Sequence, residues 1–219
     1  MKNEKYRTIN QTHTKLNFNV IIIGAFHEII ELAEELGLTI IGLVDNTKSG
    51  QYKGYQILLN DSDESVLSEK YNTIPLVITP DLPVVRTKLS KRYKEAGFDF
   101  LNLISKSAKI SGTAILGKGI IIQYGVNVSS EATIGDFVKL NTGCNIMHDS
   151  IIGDYSTIAP NAVILGKVNI GKSCYIGSNS TILPNLTICD HVTIGAGAVV
   201  TKNINKPGKY AGIPARLMK

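Results

Sequence analysis

Four histidines occur in this 219-residue chain, His13, His27, His148 and His191, and His148 has neighbours that could support chemistry. It lies in the stretch NIMHDS, followed at once by the carboxylate of Asp149. A neutral imidazole is suited to proton transfer near pH 7, so His148 could serve as a general base toward an amine or a hydroxyl. In acyl transfer such a base works with a hydrogen-bond donor that stabilises the oxyanion formed on the attacked carbonyl. Eighteen residues further on stands Gly166, with no side chain to cover its own N–H. The two groups meet only if the fold brings the chain back to the same place every eighteen residues. Without that, a solitary histidine reads equally as structural, and His191 reads as a surface residue near a corner.

The required periodicity is present. Every sixth residue from Ile104 to Val200, seventeen positions in all, is Ile, Leu or Val. A helix would repeat its apolar residues at three and four, and a plain strand at two. A period of six suits a short strand and a corner, with one aliphatic side chain pointing inward per side. Three sides close a coil of eighteen residues, and stacked coils bury a continuous apolar column that no single coil could. Four residues after most of these aliphatics comes a small or β-branched residue, such as Ala108, Val126, Ala132, Cys144, Ser150 and Ala162, that can share a narrow interior. Glycines directly after an aliphatic, at 117, 135, 153, 171, 177 and 195, are expected at corners that need an unusual backbone. A β-sandwich does not hold so strict a period.

Residues 18–103 read differently. FNVIIIG, LTIIGLVDN and IPLVIT are strand-like, and HEIIELAEELG, DSDESVLSEKY and VVRTKLSKRYKEAGF are helix-like. The alternation implies a Rossmann-like α/β domain with a parallel sheet, whose ligands bind at the carboxyl ends of the strands. Gly24 to His27 follows the first strand and Asp45 ends the second, so these are candidate ligand residues. His27 is also compatible with a helix N-terminus that touches no ligand. GAFHEI lacks the G-x-G-x-x-G fingerprint, which argues against dinucleotide redox chemistry. The domain division is therefore an extension over 1–17, the α/β domain over 18–103, the repeat over 104–204 and a C-terminal tail over 205–219.

Composition narrows the function classes. Residues 1–103 carry 12 Lys and Arg against 13 Asp and Glu, whereas residues 104–219 carry 11 against 5. The basic repeat suits an anionic ligand such as a phosphate-bearing cofactor, or is a soluble surface of scattered lysines. No basic run with interleaved aromatics suggests nucleic acid. Cys144, Cys174 and Cys189 form no CxxC pair, so neither a disulfide framework nor a metal site is expected. No apolar run reaches the roughly 18 residues of a membrane span, and the polar N-terminus lacks a signal-peptide core; a cytoplasmic protein is expected.

The tandem [LIV]-G-x-x-[small]-x pattern resembles the left-handed parallel β-helix of the hexapeptide acyltransferases. With the α/β front, the MHDSIIGDYSTIAPNAVILGKVNIGKSCYIGSNSTILPN segment and the closing GAGAVVTKNI and GKYAGIPARLMK, the chain is similar to bacterial sugar acetyltransferases of the bacillosamine and perosamine type. That resemblance implies acetyl-CoA-dependent N-acetylation of a nucleotide-linked 4-amino sugar, in surface-glycan (O-antigen, lipopolysaccharide) synthesis. It implies a homotrimer with acetyl-CoA lying along the β-helix between neighbouring subunits, and no metal. It assigns His148 as base and Asp149 as the acid that raises its basicity, with Gly166 as the oxyanion donor. It places Thr157, Gly166, Ser178 and Ala196 at the cofactor, and Gly24, His27 and Asp45 at the nucleotide sugar.

Three other readings compete with this one. O-acetylation of a sialic-acid-like sugar would use the same machinery on a hydroxyl. A β-helical carbonic anhydrase needs three zinc-binding histidines, and the repeat has only His148 and His191. A trimeric β-helix serving as a sugar-binding scaffold would release no CoA.

Overall fold

The structure is a computed structural model that describes residues 18–59 and 64–218. The expected extension over 1–17 lies outside the described residues.

Residues 19–95 fold as a sheet with helices, in the order β1 (Asn19–Ile23), α1 (His27–Glu35), β2 (Thr39–Val44), β3 (Gln51–Tyr52), β4 (Tyr55–Leu59), α2 (Glu64–Tyr71), β5 (Leu76–Ile78) and α3 (Pro83–Glu95). The strand order is β3-β4-β2-β1-β5. The sheet is mixed rather than wholly parallel: β4, β2, β1 and β5 run parallel, and the short β3 pairs antiparallel with β4. The central strands are apolar on both faces because both faces are covered, and Val20 to Ile23 are at most 1% exposed. Pro83 opens α3, where its fixed φ and missing N–H fit the first helical turn.

From Leu103 the chain winds as a three-sided coil of two- and three-residue parallel strands. The first face begins at Leu103–Ile104 and Ile121–Ile122, the second at Lys109–Ile110, and the third at Ile115–Leu116. They grow into sheets of eight, six and five strands. Pairing is at a spacing of eighteen as far as Val200, as in Asn145↔Val163 and Ile146↔Ile164. Of the seventeen periodic aliphatics, Leu116 to Val200 are at most 5% exposed, whereas Ile104 and Ile110, at the open end, are only partly buried. Full burial of one such side chain is worth about 1.5–3 kcal/mol. Inward Ser150 and Ser156 are satisfied inside the column: Ser150 donates to the Leu165 carbonyl and Ser156 to that of Gly171.

The glycines that follow aliphatics serve a different purpose from the one expected. The positive-φ corner residue falls two places later, at Phe137 (φ 55), Tyr155 (63), Ser173 (54) and Asn179 (56). The glycines themselves permit close stacking: a Cβ on Gly153 would lie 2.6 Å from the carbonyl carbon of Gly171 in the next coil. At the far end, residues Gly208–Ala211 and Arg216–Leu217 add two strands to the first face, so the tail extends that sheet.

The α/β domain sits on the first face. Arg86, 1% exposed, reaches from α3 into the coil, donating to the carbonyls of Phe137, Tyr155 and Ser156 and to Thr157 Oγ1, and also to the carbonyls of Pro80 and Asp81. Its burial pushes the guanidinium down, with the nearby Asp81 opposing.

Candidate active site

His148 and Gly166 occupy the corner between the second and third faces, the prism edge opposite the α/β domain. They are stacked: a Cβ on Gly166 would lie 2.6 Å from both Nε2 and Cε1 of His148. The glycine is required here because the imidazole fills the space a side chain would take. The Gly166 N–H makes no hydrogen bond among the described residues, whereas its flanking residues Leu165 and Lys167 donate to the carbonyls of Ile182 and His148. An unpaired N–H beside an imidazole is the pairing that acyl transfer calls for.

Asp149 fixes the other side of the ring. Its Oδ2 lies 2.7 Å from His148 Nδ1, with both side chains about half exposed. This contact places a proton on Nδ1 and leaves Nε2, the nitrogen next to Gly166, free to accept one. The left-handed backbone of Asp149 (φ 58) turns the corner that brings the carboxylate back to the ring. A depression of about 390 Å³ opens at this point, lined by Met147, His148, Leu165, Gly166, Lys167, Pro184 and Asn185. Its apolar floor of Met147, Leu165 and Pro184 beside the unpaired Gly166 amide suits an acyl thioester. Gly166→Ala is expected to displace the imidazole and lower turnover by about ten- to a hundredfold, since small misplacements of a catalytic group carry large rate costs. Steady-state kinetics together with a melting curve unchanged from wild type would check this.

The other candidates fall elsewhere. Ser178 and Ala196 stack on each other at the corner between the first and second faces, with Gly197 N–H donating to the Ser178 carbonyl. Within one chain they are separated from Gly166 by the width of the second face. Thr157, expected at the cofactor, is 0% exposed: its hydroxyl donates to the Asp81 carbonyl and accepts from Arg86, because its outward slot on the first face is covered by the loop before α3.

Gly24, His27 and Asp45 gather at the carboxyl ends of β1 and β2. Gly24 has φ 92, and a Cβ there would lie 2.4 Å from Thr79 Oγ1, so the turn needs glycine. His27 is exposed at the start of α1. Asp45 is committed to the turn: Oδ2 accepts from the Ala25 N–H and Oδ1 from the Thr47 N–H and hydroxyl. Partial burial would raise its pKa, but the Thr47 hydroxyl, the two amides and Lys48 outweigh that and hold the carboxyl at about 2. A carboxylate held below its unfolded value stabilises the fold above pH 3.8 and loses that contribution as pH falls toward about 2. Melting temperatures of wild type and Asp45→Asn are therefore expected to differ at neutral pH and to converge over that window.

Comparison with known proteins places the repeat. Residues 131–166 and 167–202 match the family described as bacterial transferase hexapeptide (six repeats). Over these residues the repeat is that of the bacterial transferase hexapeptide family. PerB from Caulobacter crescentus, solved with CoA and GDP-perosamine, is 27% identical with a TM-score of 0.86, covering 93% of this chain and 98% of that one. The acetyltransferase domain of PglB from Neisseria gonorrhoeae FA1090, solved with acetyl coenzyme A, is 26% identical with a TM-score of 0.86, covering 92% and 100%. WeeI from Acinetobacter baumannii AYE is 27% identical with a TM-score of 0.83, also covering 92% and 100%. An uncharacterised protein, L142, of Acanthamoeba polyphaga mimivirus is 36% identical over 97 residues, 44% of this chain but only 19% of that protein.

Several buried residues of this chain carry no signal in the sequence. Lys139 looks like an ordinary outward lysine, yet it is 1% exposed beneath the α/β domain. Nothing in its local pattern distinguishes it. Arg86 did carry a signal: it shares a helical face with Leu89 and Tyr93, all three buried.

Proposed function

We propose that this acyltransferase uses acetyl-CoA to N-acetylate a nucleotide-linked 4-amino sugar in surface-glycan synthesis, in the cytoplasm. The observation that carries the mechanism is the packing of His148 Nε2 against Gly166, whose N–H is unpaired among the described residues, with Asp149 on Nδ1. The support for an amino-sugar acceptor is the likeness, over more than nine-tenths of the chain, to PerB with its bound CoA and GDP-perosamine.

Acetyl-CoA supplies an activated acyl carbon and a thiol leaving group. As the sugar nitrogen bonds to that carbon, His148 Nε2 takes the nitrogen's proton and the Gly166 N–H stabilises the negative charge moving onto the carbonyl oxygen. Asp149 stabilises the resulting imidazolium. Collapse restores the C=O and breaks the C–S bond, and the thiolate regains a proton from the imidazolium or from water. No step needs a metal.

The candidate acceptor crevice and His148 lie on opposite sides of the coil in one protomer. A homotrimer resolves this: a neighbouring copy presents its His148 edge to the crevice, and its cofactor-binding corner, Ser178 and Ala196, to Gly166. The competing reading, O-acetylation of a sialic-acid-like sugar, differs in the product. Mass spectrometry of product before and after mild alkali separates them: an amide survives and an ester is lost.

A further inference from the structure

The crevice at the carboxyl ends of β1, β2 and β5 contains a charged group that the acyl-transfer steps leave unused. Asp81 lies in the loop from β5 to α3. Its side chain is 42% exposed, while its ion-pair partner Lys139 is 1% exposed. Lys139 Nζ lies 2.9 Å from Asp81 Oδ1, donates to the Thr79 carbonyl at 2.8 Å and stands 5.1 Å from the centre of the Phe26 ring. Asn141 donates to the same Oδ1 at 3.3 Å. The Asp81 backbone is also fixed, its carbonyl accepting from Arg86 and from Thr157. Asp81 Oδ2 has no hydrogen-bond partner among the described residues.

Burying an ammonium costs several kcal/mol and is tolerated only with well-placed partners. Here the buried charge orients one half-exposed carboxylate and leaves its second oxygen unused. Tyr175 continues the same outward row of the first face, paired one coil beyond Thr157. Its own burial and the charge of Asp81 push its phenol up, so it keeps its proton as a donor. Asp81 adjoins the Gly24 turn through Thr79 and Pro80, both within 3.4 Å of where a Gly24 Cβ would stand. A free carboxylate oxygen repels a phosphate and accepts from O–H and N–H groups. The chemistry at this point of the crevice is that of a pyranose, not of a diphosphate.

We propose that Asp81, oriented by Lys139, is the sugar-recognition residue of the acceptor site, accepting hydrogen bonds from hydroxyl or amino hydrogens of the pyranose. This rests on the nucleotide-amino-sugar reading and names the part of the acceptor held at this point. The test is calorimetric titration with whichever UDP-, dTDP- or GDP-linked 4-amino sugar the wild type acetylates, and with the matching nucleoside diphosphate alone. Asp81→Asn is expected to weaken the nucleotide sugar about tenfold or more, as for loss of a charge-assisted hydrogen bond, and to leave the bare diphosphate bound as tightly as before. Because Asp81→Asn strands the Lys139 charge, the double variant Asp81→Asn, Lys139→Met is measured alongside, with the same selective loss expected and a wild-type melting curve. Unchanged affinity for the nucleotide sugar in both variants, or a loss shared equally by the bare diphosphate, overturns the assignment of Asp81 and leaves the acyl-transfer reading standing. Failure of the wild type to acetylate any sugar of the panel overturns that reading, and this inference with it.

Discussion

His148→Asn is expected to lower turnover by about a hundredfold or more while acetyl-CoA binds as in the wild type. Asparagine retains a polar group of similar reach but cannot take up the proton of an attacking amine. The Gly166 N–H and the apolar floor of Met147, Leu165 and Pro184 stay in place, so the site should still accept the thioester. Loss of rate with retained binding is the signature of a group that acts on the reacting atoms. Steady-state kinetics by thiol detection, paired with calorimetry for acetyl-CoA, reads both quantities. Turnover equal to wild type would remove His148 from the chemistry. A matched loss of acetyl-CoA affinity would make it a binding residue instead.

The second large effect is on stability. Arg86→Ala should cost about 3–5 kcal/mol, the range for breaking a buried charged network by removing one partner. The guanidinium serves six acceptors drawn from the loop before α3 and from two corners and a strand of the coil. Removing it leaves the carbonyls of Phe137 and Tyr155 without a donor in a place where water has little access. Arg86→Lys should recover little, because one ammonium cannot span acceptors that a planar fork reaches together. Urea unfolding followed by far-UV circular dichroism is expected to split, with the helices of the α/β domain lost at lower denaturant than the coil. A single transition at the wild-type midpoint would show that the domains are held by other contacts.

The contrast between these two residues shows what one sequence exposes to reading. The six-residue period states which side chain points inward and how many residues close a coil, so the stacking of His148 on Gly166 follows by counting, and the structure places the ring against the glycine. The outward positions obey no such rule. Lys139 and Thr157 occupy slots that would face solvent on a bare β-helix, and only docking of the α/β domain buries them, to 1% and 0% exposure. That docking is set by residues about 50 to 80 positions away in sequence, which no local pattern reports. The glycines show a subtler limit: their spacing was legible, but whether they turned a corner or admitted the next coil depended on inter-coil distance. Asp45 likewise reads from the sequence only as a candidate ligand residue, and nothing local reports that both its oxygens hold the adjoining turns.

The most direct measurement is thiol detection of CoA released from acetyl-CoA by the wild-type protein, offered UDP-, dTDP- and GDP-linked 4-amino sugars and free sialic acid in parallel. An imidazole poised over an unpaired amide should release CoA only when an amine acceptor is present, in step with an alkali-stable acetylated product, and should lose that release in His148→Asn. Release that ignores the acceptor, or none with any of them, would contradict the account.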